Sequence, residues 1–297
     1  MSPKLIERVL NIDSMFRKNA LTVPSTDMQI QLPTTVNNVI KMETNQIEIP
    51  NTYYNISSEL GNAMFVINDG SATPKKIRIP DGRYQITFDD ERGRSSKLAM
   101  DIEVAINNAM HTANISKNFV FTIDKTTRKG VFATKREGNI QEMTIFFNVD
   151  ANGNIDETSI TTGGLRTKLG WLLGFRTGTY HMKSPTGANA VAIASEDSAY
   201  LPLARYIYLV IDDFCNESYD NFISVFHDSL NTKNVLSRID LGDPVDHTKW
   251  TTTGRIYQGP VNISKLRVTL TDELGRVVNL NGADWSVALK VTCVVDR

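Results

Sequence analysis

Between Met28 and Leu32 the chain alternates apolar and polar residues, and the same two-residue period returns over Val261–Leu270 and Trp285–Val294. Successive side chains on a strand point to opposite faces, so this pattern predicts strands with one buried and one wet face. Pro33 and Pro50 are expected to end strands, because proline has no donor for the ladder. Arg205–Ile211 is nearly continuous in β-branched and aromatic residues, which predicts a strand central in its sheet. Over Val261–Leu270 the inward candidates are Ile263, Leu266, Val268 and Leu270. Met64–Ile67 reads as a short strand closed by Asn68-Asp69-Gly70.

From Lys75 to about Tyr180 the pattern changes character. Lys76–Ile79 leads into a Pro80-Asp81-Gly82 turn. Leu98, Ile102, Ala105, Ile106 and Ala109 then recur at helical spacing, with Ser95 or Ser96 as the expected cap. The strands Phe119–Ile123, Gly130–Ala133 and Met143–Val149 follow, and Asn152-Gly153 favours a tight turn. One helix among strands predicts a small α+β insertion over 76–180. The flanking segments 27–75 and 181–297 are expected to form one β-sandwich. Residues 1–26, with Leu5, Ile6, Val9, Leu10 and Ile12 ahead of a charged stretch, read as an N-terminal arm that lies across a neighbour, or as an ordinary first strand.

Composition narrows the function classes. With 32 basic and 33 acidic residues the net charge is -1. Proteins that coat nucleic acid carry a large positive excess, so genome packaging is not the expected role. Two cysteines, Cys215 and Cys293, make no disulfide framework and read as buried reduced thiols. The N-terminus lacks the apolar core of a signal peptide, and no run approaches a membrane span.

The motifs that carry chemistry elsewhere are incomplete here. Asp150–Asp156 starts like a calcium loop, but Ile155 and Thr161 stand where that loop needs glycine and glutamate, so a hairpin turn is expected. Gly163–Lys168 lacks the Gly-Lys-Ser/Thr ending of a phosphate loop. Asp212 and Asp213 tempt as an acid pair, yet neighbours on a strand face opposite ways, and a solvated strand end is expected. His111, His181, His227 and His247 are scattered, without a nucleophile motif. Phe16-Arg17-Lys18 and Phe175-Arg176 fit a protein interface better than nucleic-acid stacking. The sequence therefore predicts no catalytic, cofactor-binding or metal residues, no cofactor, and no enzyme activity.

Ile47–Asn62 is a strand stopped by Pro50 and followed by a polar and aromatic corner. With Asn11–Asn19, Met28–Pro33, Leu169–Arg176 and Gly259–Ile263, in that order, it resembles the penton-type vertex and minor capsid proteins of large nucleocytoplasmic DNA viruses. The resemblance implies a mainly β fold, a jelly-roll β-sandwich with the small α+β insertion. It implies a structural capsid protein of an icosahedral virus, a homopentamer at the vertex, with the major capsid protein and other minor capsid proteins as partners. No specific nucleic acid and no membrane span are expected. Such a chain resides in the virion and is assembled in the host cytoplasm. The alternatives are a minor capsid or cement protein that binds major capsomers, and a carbohydrate- or receptor-binding β-sandwich using Tyr53, Tyr54, Tyr180 and Trp250.

Overall fold

A computed structural model describes residues 4–86, 100–115, 119–134, 142–157, 164–183, 191–201, 206–215, 222, 233–240, 249–252 and 254–295. The chain is mainly β, and its curled antiparallel sheets are consistent with the jelly-roll β-sandwich class expected. It divides into two compact units: Met1–Tyr53 with Ala204–Arg297, and Tyr54–Leu203.

The first unit is one seven-stranded antiparallel sheet in the order β1 (Lys4–Asp13), β16 (Ser286–Val295), β2 (Asp27–Glu48), β15 (Arg255–Asp272), β12 (Tyr206–Asp212), β13 (Val235–Asp240) and β14 (Lys249–Thr252). Alternation supplies one apolar face. Val39 and Met42 of β2, Ile263, Leu266, Val268 and Leu270 of β15, Ile207, Leu209 and Ile211 of β12, and Leu289 and Val291 of β16 are all fully buried or nearly so. The sheet curls to enclose that face. Thr44 on β2 and Ser237 on β13 lie three places apart in strand order, yet their hydroxyls hydrogen-bond at 2.5 Å in the interior. Strand β12 sits between β13 and β15, as its composition predicts.

Pro33 does not end its strand. β2 runs on through it, and the register against β15 jumps from Gln31↔Lys265 to Val36↔Ile263. Pro33 lies inside that irregularity, where its missing N–H is not needed. Gly259-Pro260 lies in a second shift, between Ile256↔Lys41 and Val261↔Val39. Pro50 does follow the strand's end at Glu48.

The second unit is built from a four-stranded sheet, β10 (Thr179–Lys183), β9 (Glu142–Phe146), β3 (Met64–Asn68) and β4 (Lys75–Arg78), and a three-stranded sheet, β11 (Ala192–Ser198), β8 (Lys129–Thr134) and β7 (Phe119–Ile123). A parallel pair, β5 (Tyr84–Gln85) and β6 (Met100–Asp101), leads into helix α1 (Ile102–Thr112). Aromatic rings join the two sheets. Phe65 of β3 meets Phe132 of β8 at 5.8 Å between centroids, and Phe132 meets Phe121 at 4.8 Å. Ile102, Ile106 and Met110 of α1 add one helical face to this core.

Three expectations are corrected. The compact unit spans Tyr54–Leu203 rather than 76–180, because β3 and β4 pair with each other and β3 with β9. The helix starts at Ile102, where the Asp101 carboxylate accepts from the Glu103 and Val104 amides; Ser95, Ser96 and Leu98 lie outside the described residues. The stretch 1–26 is not a detached arm. Its residues Lys4–Asp13 pair with β16 along their whole length.

Candidate interaction surface

Pairing assigns the faces of β1. Ile6, Arg8, Leu10 and Ile12 stand opposite Cys293, Val291, Leu289 and Val287, the inward residues of β16. Leu5, Glu7 and Val9 therefore face outward. A strand with one wet face would keep apolar side chains on the other alone, but β1 carries them on both. Leu5 is 52% exposed and Val9 59%. β1 is also the end of the sheet order, paired with β16 alone among the described residues.

The chain beyond β1 forms a hook whose polarity is reversed. Ser14, fully buried, donates from its hydroxyl to Asp284 at 2.8 Å and accepts from the Trp285 amide at 2.9 Å. The Trp285 indole donates to the Ser25 carbonyl at 2.7 Å, and Thr26 donates to the Val278 carbonyl at 2.6 Å. Arg17 is a staple. Its guanidinium ion-pairs with Asp284 at 2.5 Å and donates to the carbonyls of Ser14, Ala20 and Val23. With the polar groups turned inward and satisfied, the large apolar side chains turn out: Met15 is 60% exposed, Phe16 76%, and Leu21 fully. Large apolar groups exposed on a hydrogen-bonded support are candidates for an interaction surface.

The tempting acids have other work. Asp213 is buried and ion-paired with Arg255 at 2.7 Å, with side-chain exposures of 2% and 5%. The same carboxylate oxygen accepts from the Tyr257 hydroxyl at 2.5 Å, and Arg255 also donates to the carbonyls of Ile211 and Asn234. Burial and the Asp213 charge push the Tyr257 phenol well above its ordinary range. Asp212 instead accepts from the Phe214 amide at 2.8 Å. The expected solvated strand end is thus half right: Asp213 anchors a buried ionic knot. Sequence could not place Arg255 there, since the partners lie far apart in the chain.

The other candidates resolve into architecture. The Asp150 carboxylate accepts from the amides of Asn152 and Asn154 and from the Asn154 side chain, which closes a turn with Gly153 at φ +76°. Lys168 donates to the Val149 carbonyl at 2.6 Å. Gly170 and Gly174 permit close packing, as their motif suggests. A Cβ on Gly170 would overlap the Phe147 ring, and one on Gly174 the Asp197 carbonyl oxygen. Phe175 is buried, stacked on Phe147 at 5.0 Å, while Arg176 lies over the Trp171 ring and pairs with Asp197 at 2.6 Å. Neither Arg176 nor Arg17 is left to stack on a base. Tyr53 and Tyr180 are buried and Tyr54 is exposed, so the three present no common face; the Trp250 side chain lies outside the described residues. His181 hydrogen-bonds Thr144, His111 sits in the last turn of α1, and His227 and His247 lie outside the described residues.

Cys293 is buried and Cys215 half-buried. Burial pushes the Cys293 thiol pKa up. Asn55, a nominal glycosylation acceptor, is buried with its amide donating to the Tyr84 carbonyl. Among the described residues no group of three or more His, Cys, Asp or Glu comes together to hold a metal, and no helix is long and apolar enough to cross a membrane.

No protein-family model and no curated protein sequence matches the chain. Among solved structures it is similar to the crystal structure of the selenomethionine-labelled mavirus penton protein, with 13% identity, a TM-score of 0.43, and coverage of 98% of this chain and 100% of that one. At that level of overlap, the functional reading rests on the chain's own residues.

Proposed function

We propose that the chain is a structural protein of an icosahedral virus shell, acting by protein–protein assembly as a pentameric vertex protein. The observation that carries this reading is the apolar ledge of β1 and the hook. Leu5 and Val9 are exposed on β1, and Met15, Phe16 and Leu21 on a hook held by hydrogen bonds and the Arg17–Asp284 ion pair. The order of capsid-like motifs in the sequence agrees with it. The partners in this reading are further copies of the chain, the major capsid protein and other minor capsid proteins, in a virion assembled in the host cytoplasm. A pentamer closes by heterologous contacts, in which one patch meets a different patch on the next copy.

The test is the copy number of the chain in purified particles, by quantitative mass spectrometry against the major capsid protein. Five copies at each vertex of an icosahedron give on the order of sixty. Several-fold more would favour a minor capsid or cement role on the same surface. Absence from particles would overturn the shell reading.

A further inference from the structure

The inward face of β1 differs from the rest of the sheet interior in one respect. Reading along it, the residues are Lys4, Ile6, Arg8, Leu10 and Ile12. Lys4 and Arg8 are exposed, and neither has an ion pair among the described residues, whereas Glu7 on the outer face pairs with Lys290 at 3.6 Å. Ile6 and Leu10 are only half-buried. Their neighbours on β16 are covered, with Leu289 and Val291 fully buried. Among the described residues the face thus presents two cations without an ion pair, four residues apart, interleaved with incompletely covered apolar side chains, beside a backbone edge that no described strand pairs. A free edge is a template for another strand unless something blunts it.

A second β1 is a poor occupant. Residues directly opposite in an antiparallel pair share a face, so joining two copies edge to edge with continuous faces would gather Lys4 and Arg8 of both on one side. That places four cations and no acid there, and like charges across a pair of strands are destabilising. We propose that the edge of β1 takes up, by strand addition, an extended segment of another shell protein whose inward residues are apolar with carboxylates four apart. Main-chain hydrogen bonds would extend the sheet, the acids would meet Lys4 and Arg8, and apolar residues would cover Ile6 and Leu10. The shell reading above identifies what supplies the segment; the pairing chemistry is a property of β1 alone.

The experiment measures binding of synthetic nine-residue peptides to the full chain by fluorescence anisotropy. The probe alternates polar and apolar residues with glutamates four apart on the apolar face. Controls replace the glutamates by lysines, or methylate alternate backbone nitrogens to block ladder hydrogen bonds. Expected is binding of the acidic peptide alone, weakened by salt and about tenfold weaker to Lys4→Glu/Arg8→Glu, which should prefer the lysine peptide. Equal binding of acidic and basic peptides, or of the methylated one, overturns the proposal, as does no binding at all. If the double variant fails to fold, the peptide comparisons on the unaltered chain still decide. Failure here with about sixty copies per particle would sink the strand-addition site and leave the shell role standing.

Discussion

Replacing Asp213 with alanine would leave the Arg255 guanidinium buried with two carbonyls and no counter-charge. Breaking one side of a buried ion pair costs about 3–5 kcal/mol, because the remaining charge has lost its compensation and cannot reach water. Because the chain has two compact units, a single global melt would mix their signals, and native-state hydrogen exchange read by mass spectrometry is the better assay. Peptides from β12, β13 and β15 should exchange roughly a hundred- to several-thousand-fold faster, at about 1.4 kcal/mol per tenfold, with peptides from β8 as the internal reference. Asp213→Leu combined with Arg255→Met removes both charges and should recover part of the loss. The recovery stays incomplete by about 1–3 kcal/mol, since the Ile211 and Asn234 carbonyls and the Tyr257 hydroxyl lose partners. A single variant within about 1 kcal/mol of the parent would refute the reasoning, as would a double variant worse than the two singles summed.

Phe16→Ser with Leu21→Ser should leave exchange in β16 unchanged and weaken assembly, since neither side chain supports the fold. Deleting 1–26 should weaken assembly and also speed exchange in β16, because it removes the β1 ladder and the partners of Trp285; unchanged exchange in β16 after the deletion would refute that pairing. Gly174→Ala should destabilise the Tyr54–Leu203 unit by roughly 1–3 kcal/mol from the backbone alone at φ +93°, with the overlap on Asp197 adding to it; a chemical melt followed at Trp171 checks this. Arg267 holds the Asp27 carboxyl below its usual range, and Lys290 and Lys41 do the same for Glu43. Depressed carboxylates contribute stability that is present above their unfolded values near 4 and lost as pH falls through the folded ones. The first unit should therefore lose stability on acidification below about pH 5, and Asp27→Asn should flatten that slope in urea melts at graded pH.

What the sequence made legible was what period alone can carry. β12 and β16 alternate buried and half-buried residues along nearly their whole length, and that alternation or apolar continuity is visible residue by residue. Pro33 misled because the cost of a proline depends on whether a partner waits for its N–H, and the irregularity in β15 that excuses it is invisible from β2. Asp101 caps the helix five or six residues later than expected, since serine and aspartate are comparably good caps and the sequence alone does not choose between them. The Asp213–Arg255–Tyr257 knot and the Arg17–Asp284 staple join residues far apart, and nothing local announces them. Phe16-Arg17-Lys18 was legible as interface-like, but the hook that holds it was not, because its surface is inverted: its polar groups are the buried ones.

The first unit is assembled from both ends of the chain, with Tyr54–Leu203 between them. β16, the last strand made, pairs with both β1 and β2, the first two. During synthesis the middle unit is contiguous and can close early, while Met42 and Val39 wait for Val291 and Cys293 to close their ladder on the β16 side. A chain without Ser286–Val295 loses the strand that pairs with both β1 and β2. Products that lack Ser286–Val295 should thus be sticky intermediates, and β16 acts as the clasp of the first unit.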